Sequence, residues 1–227
     1  MKRAHAMRFG ATVLAAGGVR FALWAPGAER IALEHDNKGT VATHAMTRSE
    51  DGWHRLELAH AVAGDRYRYR LADGLCVPDP ASRFNPDDVH GASEIVDPHA
   101  YAWRDQAWRG RAWEQAVIYE LHVGTFTPEG TFDAARRRLA ELAELGITAI
   151  ELMPVAAFPG RRNWGYDGVL LFAPDACYGR PEQLKAFVDT AHELGLMVLL
   201  DVVYNHFGPE GNHVTRYAPQ FMNDAHQ

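Results

Sequence analysis

Cysteine is scarce in this sequence of 227 residues, and long apolar runs are missing. The two cysteines, Cys76 and Cys177, lie far apart and neither belongs to a Cys-x-x-Cys pair, so no disulfide framework is indicated. No apolar run reaches the roughly 20 residues that a membrane-spanning helix needs. The apolar stretch near the N-terminus is short and is broken by Gly17 and Gly18, which is not typical of a signal peptide. We therefore expect a cytoplasmic protein with reduced thiols and no membrane partner.

Positive charge is also in short supply. The 23 Lys and Arg residues are outnumbered by 29 Asp and Glu residues, which gives a formal net charge of −6. The richest basic run, ARRRLAEL from Ala135 to Leu142, includes Glu141 and is interpreted as a solvated helix face. Nucleic-acid binding depends on clustered Lys and Arg, so the composition argues against a nucleic-acid partner.

Several catalytic signatures are absent. The sequence has three serines, all before residue 100: Ser49, Ser82 and Ser93. The second half therefore has no Gly-x-Ser-x-Gly elbow, and it also lacks a nucleotide-binding glycine loop and a His-Glu-x-x-His motif. His122, His206 and Asp201 are the candidates for a metal site there, but their spacing fits no usual ligand pattern. We therefore predict no metal and no cofactor.

Period-two alternation dominates residues 1–98. Apolar and polar residues alternate in GVRFALWAP from Gly18 and in DRYRYRLADG from Asp65, and Gly, Asp and Asn separate such runs. This pattern predicts an antiparallel β-sandwich with a solvent-exposed face. The stretch from Pro78 to Pro98 is rich in Pro and Asp, has no period, and is predicted to be an ordered connecting loop.

The pattern changes after residue 98. Residues 99–113 contain the aromatic and basic string YAWRDQAWRGRAW and are interpreted as an interdomain packing segment, with a ligand platform as the alternative. In residues 114–227, three strand-like runs alternate with two runs of helical spacing that stop at Gly146 and Gly195. This order predicts βαβ units and a parallel sheet. The third strand is almost wholly apolar, as expected of a strand covered on both faces.

Polar and aromatic residues follow the ends of the predicted strands. In parallel α/β folds, ligands bind at these carboxyl ends. The second strand opens a loop of some 27 residues, whereas ordinary βα loops have about 2–6. That loop and the end of the third strand supply Trp164, Tyr166, Asp167, Asp201, Asn205 and His206. Rings beside carboxylates suit sugars, whose CH faces stack and whose hydroxyls need polar partners. The alternative is that the rings hold the loop in place.

Two carboxylates, Glu120 and Glu151, interrupt apolar strands. A charge within a strand is costly unless it is paired. We predict that each belongs to a structural ion pair, and a polar barrel interior is the alternative.

Four strings carry a family resemblance. VIYELHVGTFTPEGTF, ELMPVAAFPGRRNWGYDGVLLFAPDACYGRP and LMVLLDVVYNHFGPEGN resemble the start of a catalytic barrel of the α-amylase superfamily, glycoside hydrolase family 13. The substring DVVYNH matches the first signature segment of that superfamily. GVRFALWAPGAERIALE resembles the β-sandwich, related to starch-binding modules, that precedes the barrel in some members. The resemblance implies a β-sandwich over residues 1–98 and, over residues 114–227, the first three βα units of a TIM (β/α)8 barrel.

Within the superfamily, the sequence resembles the trehalose-releasing hydrolases, because branching enzymes usually carry Gln at the position of Asp167. Such hydrolases cleave the α-1,4 bond next to the trehalose unit of maltooligosyl trehalose, which implies this substrate or an α-1,4-glucan. The resemblance implies that the Tyr166 ring stacks on the sugar at the cleavage point. Trp164 and Asp167, which the composition of the same loop suggests, complete the predicted substrate-binding set on this side.

The same resemblance gives roles to the residues after the third strand. His206 is expected to hydrogen-bond hydroxyls of that sugar, and Asp201 to support neighbouring groups from the strand end. Asn205 shapes the loop, and its counterpart helps to hold calcium in some amylases. The trehalose-releasing members resemble the calcium-free ones, so no metal is expected.

The nucleophile and the acid of a retaining glycosidase, which lie about 5–5.5 Å apart, have no counterpart in this sequence. The superfamily supplies them after later strands, and residues 114–227 are fewer than half of the roughly 250 residues of a barrel. We therefore expect an N-terminal portion of an enzyme that is inactive alone. The alternatives are a branching or debranching enzyme of the same superfamily and a non-catalytic glucan-binding module.

Overall fold

The structure, a computed structural model, describes residues 7–222. Nine strands lie between residues 10 and 94: β1 (Gly10–Val13), β2 (Val19–Trp24), β3 (Ala32–Asn37), β4 (Thr40–Ala45), β5 (Thr47–Arg48), β6 (Trp53–Leu58), β7 (Arg66–Arg70), β8 (Cys76–Val77) and β9 (Ser93–Glu94). They form two antiparallel sheets, one in the order β1-β2-β6-β5 and the other in the order β4-β3-β7-β8 with β9 paired to β7.

The alternation in the sequence explains how the two sheets meet. Val19, Phe21 and Leu23 on β2 are buried in the same hydrophobic cluster as Tyr67 and Tyr69 on β7. Every second residue of each strand therefore faces the opposing sheet. Because both sheets contribute to one core, the predicted β-sandwich is confirmed.

A buried carboxylate ties the sandwich to the segment that follows it. Asp79 is fully buried and accepts hydrogen bonds from the hydroxyls of Tyr67 (2.8 Å) and Tyr69 (3.1 Å) and from the Ala81 N–H (2.8 Å). Burial raises the pKa of Asp79 above its usual value, although these donors act in the opposite direction. The predicted connecting loop is thus held by the sandwich core itself.

The second half contains three parallel strands in the order β10-β11-β14 and a two-stranded antiparallel pair, β12-β13. Its strands and α-helices are β10 (Ile118–Leu121), α1 (Val123–Phe126), α2 (Phe132–Arg137), α3 (Leu139–Glu144), β11 (Ala149–Leu152), β12 (Ala156–Ala157), β13 (Leu170–Pro174), α4 (Pro181–Glu193), β14 (Met197–Leu200) and α5 (Val214–Tyr217). Short 3-10 helices span Trp113–Gln115 and Pro219–Phe221. Leu139, Ile150 and Phe187 are fully buried between the helices and one face of the sheet.

The predicted order of strand, helix, strand, helix and strand is confirmed, but its details differ. A one-turn helix, α1, begins one residue after β10, within the string AVIYELHVGTF that the sequence pattern predicts to be one strand. The first predicted helix is divided at Arg138 into α2 and α3. The sequence places Leu145 at helical spacing after Leu142, but Leu145 is 74% exposed because α3 ends at Glu144.

The apolar sequence of the third strand predicted that both of its faces are covered. In the structure they are not. Leu200 at the end of β14 is 50% exposed, and Val202 and Tyr204 beyond it are also exposed. β14 pairs with β11 on one side only within residues 7–222. The apolar side chains of β14 therefore form a surface that residues 7–222 leave uncovered.

The predicted ion pairs of Glu120 and Glu151 are wrong. The two residues are neighbours in the parallel register of β10 and β11, and Leu199 on β14 continues the same row. Within residues 7–222, neither carboxylate has an ion-pair partner. Glu120 is exposed and Glu151 is half-buried, so solvent hydrates both charges and no partner is required.

Residues 99–113 pack against α4. Asp189, fully buried on that helix, accepts hydrogen bonds from the Tyr101 hydroxyl (3.0 Å), the Arg104 backbone N–H (3.0 Å) and the Arg104 guanidinium (3.2 Å). Trp108 stacks on His192 with ring centroids 4.6 Å apart. Burial alone would raise the pKa of Asp189, but the Arg104 and Tyr101 donors lower it below its usual value.

None of the helices between residues 7 and 222 combines the length and the apolar character that crossing a bilayer requires.

Replacement of Asp189 tests how this segment is held. We expect Asp189→Asn to weaken its attachment to α4, because the neutral amide loses charge-assisted hydrogen bonds worth about 1.5–3 kcal/mol each. Trypsin should then cleave after Arg104 and Arg109 roughly tenfold faster, since cleavage follows the population of the open form. The lowered pKa means that the contribution is complete at neutral pH and is lost only as the pH falls below about 4.

The matched control is Glu193→Gln, which removes an exposed partner of the same Arg104 guanidinium. Exposed ion pairs contribute about 0–1 kcal/mol, so this variant should change the cleavage rate little. Equal rates for the Asp189→Asn variant and the unchanged chain would show that the carboxylate does not hold the segment.

Candidate active site

The carboxyl ends of the three parallel strands lie side by side. The Met153 N–H donates to the Leu121 carbonyl (3.0 Å), and the Asp201 N–H donates to the Leu152 carbonyl (2.9 Å). These bonds extend the sheet pairing by one residue beyond β11 and β14. Asp201 is therefore held at the sheet edge through its backbone, while its side chain is exposed.

The imidazole of His122 joins the end of β10 to the long loop after β11. His122 follows β10 directly, and its Nε2 donates to the Asn163 carbonyl (2.9 Å). The Tyr178 hydroxyl lies 3.4 Å from the same nitrogen. Because a carbonyl can only accept, Nε2 carries the proton and Nδ1 is the acceptor in the neutral ring. That Nδ1 is buried and has no hydrogen-bond partner within residues 7–222.

Tyr178 is placed by a turn that depends on a buried carboxylate. Asp175, at the end of β13, accepts hydrogen bonds from the backbone N–H groups of Phe158 (3.0 Å) and Cys177 (2.8 Å). Burial raises the pKa of Asp175, and these hydrogen bonds only reduce that effect. Burial also raises the pKa of the Tyr178 hydroxyl, which therefore stays neutral beneath His122.

The long loop presents two aromatic rings to solvent. Trp164 is 77% exposed and Tyr166 is 51% exposed. Gly165 between them has a φ of +106°, and its N–H donates to the side-chain oxygen of Asn163. A Cβ there would lie 3.3 Å from Pro154 Cδ, so both the backbone angle and the packing favour glycine.

A hydrogen bond joins the two loops that carry most of the predicted site. His206 Nε2 donates to the carbonyl oxygen of Tyr166 (2.9 Å), which again fixes the proton on Nε2 and leaves Nδ1 as an acceptor. The Gly208 N–H donates to the Gly168 carbonyl (3.0 Å). A Cβ on Gly208 would overlap the carbonyl oxygen of Asp167, so the loops approach backbone to backbone.

The structure thus brings together Tyr166 and His206 by a direct bond, and Asp167 with the same loop by close packing. Asn205 is exposed, and neither its side chain nor that of Asp201 has a hydrogen bond or ion pair within residues 7–222. An open cleft of about 140 Å³ beside the loop is lined mostly by apolar residues, Leu171, Phe172 and Leu200 among them, together with Asp201. Exposed rings, an imidazole acceptor and two carboxylates can together bind a polyhydroxylated ligand.

Three residues that fix this geometry were not predicted as site residues: His122, Asn163 and Tyr178. His122 gave the only signal, since it directly follows the first strand, but a polar residue at that point does not reveal its partner. Asn163 contributes a backbone carbonyl, which no sequence pattern shows. Among the described residues, no cluster of three metal-ligating side chains lies at these strand ends.

Comparisons with known families match both halves of the chain. Residues 81–224 match the family described as alpha amylase, catalytic domain. Residues 8–100 match carbohydrate-binding module 48, the isoamylase N-terminal domain. Both matches agree with the observed order of a sandwich followed by a parallel sheet.

Individual proteins show the same similarity. The chain is 52% identical over 218 residues to a malto-oligosyltrehalose trehalohydrolase of Deinococcus radiodurans, covering 96% of the chain and 35% of that protein. A protein of the same name from Saccharolobus solfataricus is 49% identical over 204 residues, or 90% of the chain and 36% of that protein. The chain thus spans about a third of the length of these curated relatives.

A crystal structure from Salmonella typhimurium, described as a candidate alpha amylase, superposes with a TM-score of 0.92 at 51% identity. The superposition covers 98% of the chain and 38% of that protein.

The close approach of the two loops gives a structural prediction. We expect Gly208→Ala to separate them, because the added methyl group meets the Asp167 carbonyl, and overpacking of this kind costs roughly 1–3 kcal/mol. The measurement is amide hydrogen exchange by mass spectrometry, in which residues 165–169 and 204–208 should exchange about tenfold faster or more.

Gly160→Ala is the control in the same long loop, since a Cβ there meets nothing within 4 Å, and the strain of its positive φ stays local to residue 160. It should leave exchange at residues 204–208 unchanged. If Gly208→Ala leaves both segments as protected as before, the loops do not depend on this approach.

Proposed function

The chain belongs to the α-amylase family, and we propose that it forms the sandwich and the first barrel strands of a glycoside hydrolase that releases trehalose from maltooligosyl trehalose. The bond cleaved is the α-1,4 bond next to the trehalose unit. The observation that carries the proposal is the joined pair Tyr166 and His206 at the strand ends. It occurs in a chain whose curated relatives include proteins named malto-oligosyltrehalose trehalohydrolase.

The geometry suits an α-glucosyl unit. The exposed Tyr166 ring offers a flat apolar face for the CH groups of the sugar. Beside it, His206 Nδ1 is left as an acceptor for a hydroxyl, because Nε2 is committed to the Tyr166 carbonyl. Asp201 adds a carboxylate at the adjacent strand end, and a charged acceptor strengthens hydrogen bonds from sugar hydroxyls. We assign Trp164, Asp167 and Asn205 to the rim of the same subsite.

The bond-breaking carboxylates are assigned to segments outside these residues. Hydrolysis with retention needs two carboxyl groups about 5–5.5 Å apart, one as nucleophile and one as acid. Asp201 is given the supporting role instead, since the family resemblance matches it to that role. The proposal therefore divides the work: this chain positions the sugar, and the rest of a barrel cleaves the bond. We further propose a cytoplasmic location, which the unpaired cysteines Cys76 and Cys177 favour.

The test is to incubate the protein expressed from the complete reading frame that contains this chain with maltooligosyl trehalose. Release of trehalose at an enzymatic rate is expected. Tyr166→Ala should lower kcat/KM roughly tenfold or more, because a stacking face of about 1.4 kcal/mol or more is lost. The control is Trp113→Ala, which removes an exposed ring before β10, at the opposite end of the parallel strands. It should leave kcat/KM unchanged.

Formation of branched glucan without release of trehalose would overturn the proposal and identify a branching enzyme instead. An equal loss of kcat/KM in the Tyr166→Ala and Trp113→Ala variants would contradict the assignment of Tyr166 to a sugar-binding subsite.

Glucan binding by the sandwich is a second function, and a surface aromatic pair favours it. Phe9 and Trp53 lie with ring centroids 5.0 Å apart, and the Arg55 guanidinium lies 4.9 Å from the Trp53 ring. Phe9 is exposed and Trp53 half-buried, so the pair forms an accessible face within the region that matches carbohydrate-binding module 48.

Titration calorimetry with maltoheptaose checks this second function. The 227-residue chain should bind the oligosaccharide, and Trp53→Ala should weaken the affinity several-fold. Absence of heat at millimolar maltoheptaose, or full binding by the Trp53→Ala variant, would contradict glucan binding at this pair.

A further inference from the structure

Three histidines converge at one edge of the sandwich. His35 lies on β3, His44 on β4, and His60 in the loop after β6. One ring nitrogen from each lies within 4.8 Å of the others. The cluster is graded in burial, since His35 is buried, His44 is half-buried and His60 is exposed. A small cation from solvent can therefore reach it on the side of His60.

The strand register explains why these histidines meet. His44 is paired with Leu33, and Ala42 is paired with His35, so His35 and His44 are diagonal neighbours on the same face of the β3-β4 pair. Leu33 on that face is fully buried in the sandwich core. His60 comes from the opposing sheet, two residues after the end of β6. The cluster thus joins the two sheets at their edge.

A carboxylate behind the cluster fixes one of the rings. His35 Nε2 donates to Asp65 (2.9 Å), and both side chains are almost completely buried. The same Asp65 oxygen accepts the backbone N–H of Val62 (3.1 Å). This bond holds the proton on Nε2 and leaves His35 Nδ1 as the basic nitrogen. A carboxylate that orients a histidine through its second nitrogen is the usual support of a metal ligand.

The second ring carries an unmatched polar atom. His44 Nε2 is buried and has no hydrogen-bond partner within residues 7–222. A buried nitrogen without a partner is costly in free energy, and a coordination bond would remove that cost. The only other rings in the cluster are those of His35, with a centroid 6.4 Å away, and His60, at 6.0 Å. Neither His35 nor His60 supplies the missing hydrogen bond.

We propose that His35, His44 and His60 bind a zinc ion that links the two sheets of the sandwich. Three imidazoles with one open position are a known ligand set for zinc. Zinc–nitrogen bonds of about 2.0–2.1 Å in tetrahedral geometry place the nitrogens roughly 3.3 Å apart. Nitrogens already within 4.8 Å reach this spacing through small shifts of all three side chains, of which the exposed His60 is the freest to rotate, and water fills the fourth position.

Nothing in the sequence pattern indicates this site, and no metal was expected from the sequence. The three histidines are spread over two strands and a loop, without the short spacings by which zinc sites are recognised. The proposal is independent of the glycosidase proposal, because none of the three residues lies in the α/β half.

Zinc titration of the untagged, metal-free 227-residue chain tests the proposal. One zinc ion should bind per chain, and the midpoint of thermal unfolding should rise with zinc and return when EDTA is added. His60→Ala should weaken zinc binding at least tenfold without unfolding the chain, because His60 is exposed. His44→Ala should have a similar effect. His99→Ala, which removes an exposed histidine outside the cluster, should leave the affinity unchanged.

A second measurement separates ligation from nonspecific histidine binding. Cobalt(II) in place of zinc should give the visible absorption of a tetrahedral site, and His60→Ala should abolish it. Asp65→Asn should weaken zinc binding about 10–100-fold, as the loss of a supporting carboxylate does elsewhere. The proposal is overturned if binding is not saturable at one ion per chain, or if His60→Ala and His99→Ala bind zinc equally well.

Discussion

The candidate site depends on the parallel register of β10, β11 and β14. Because the three strands run in the same direction and are paired residue by residue, their carboxyl ends meet at one edge of the sheet. The pairing continues past the strands, so Asp201 lies next to Leu152 through a backbone bond. The loops that leave this edge are then joined by short polar contacts, of which the bond from His206 to the Tyr166 carbonyl is the central one. A slip of one strand would separate these side chains, since one residue of shift reverses every side chain of the strand.

The sandwich is part of this arrangement and does not merely precede it. Arg180 at the start of α4 pairs with Glu94 on β9 (2.5 Å), and Glu94 is nearly buried. Tyr217 on α5 lies in the sandwich core and donates to the Pro78 carbonyl (3.3 Å). The segment after β14 therefore starts at the candidate site and ends inside the other domain. The segment is held at one end by the Asp201 N–H at the strand edge and at the other by Tyr217 in the sandwich core. These two contacts restrict where His206 can lie, which favours a preorganised subsite over one that forms on binding.

The order of elements could be predicted because hydrophobic periodicity is a local property. Alternation revealed the sandwich, and helical spacing with Gly195 as a stop revealed α4. Features that depend on distant residues could not be predicted. The division of the first helix at Arg138, the solvent contact of Glu120 and the backbone role of Asn163 all follow from tertiary packing. Tyr166 and His206 could be predicted as candidates because they belong to loops at strand ends, whereas the three sandwich histidines are brought together only by strand register and sheet packing.

The row formed by Glu120, Glu151 and Leu199 restricts what can pack on the open face of the parallel sheet. Two carboxylates at adjacent register positions repel each other, and water now screens that repulsion. An apolar cover would remove the water and leave two unpaired charges in a low dielectric, at a cost of several kcal/mol for each ion. A group that covers this face must therefore bring cations or hydrogen-bond donors to the two carboxylates, while it can be apolar opposite Leu199. A closed barrel satisfies this condition only if its remaining strands place such donors inward at the level of this row.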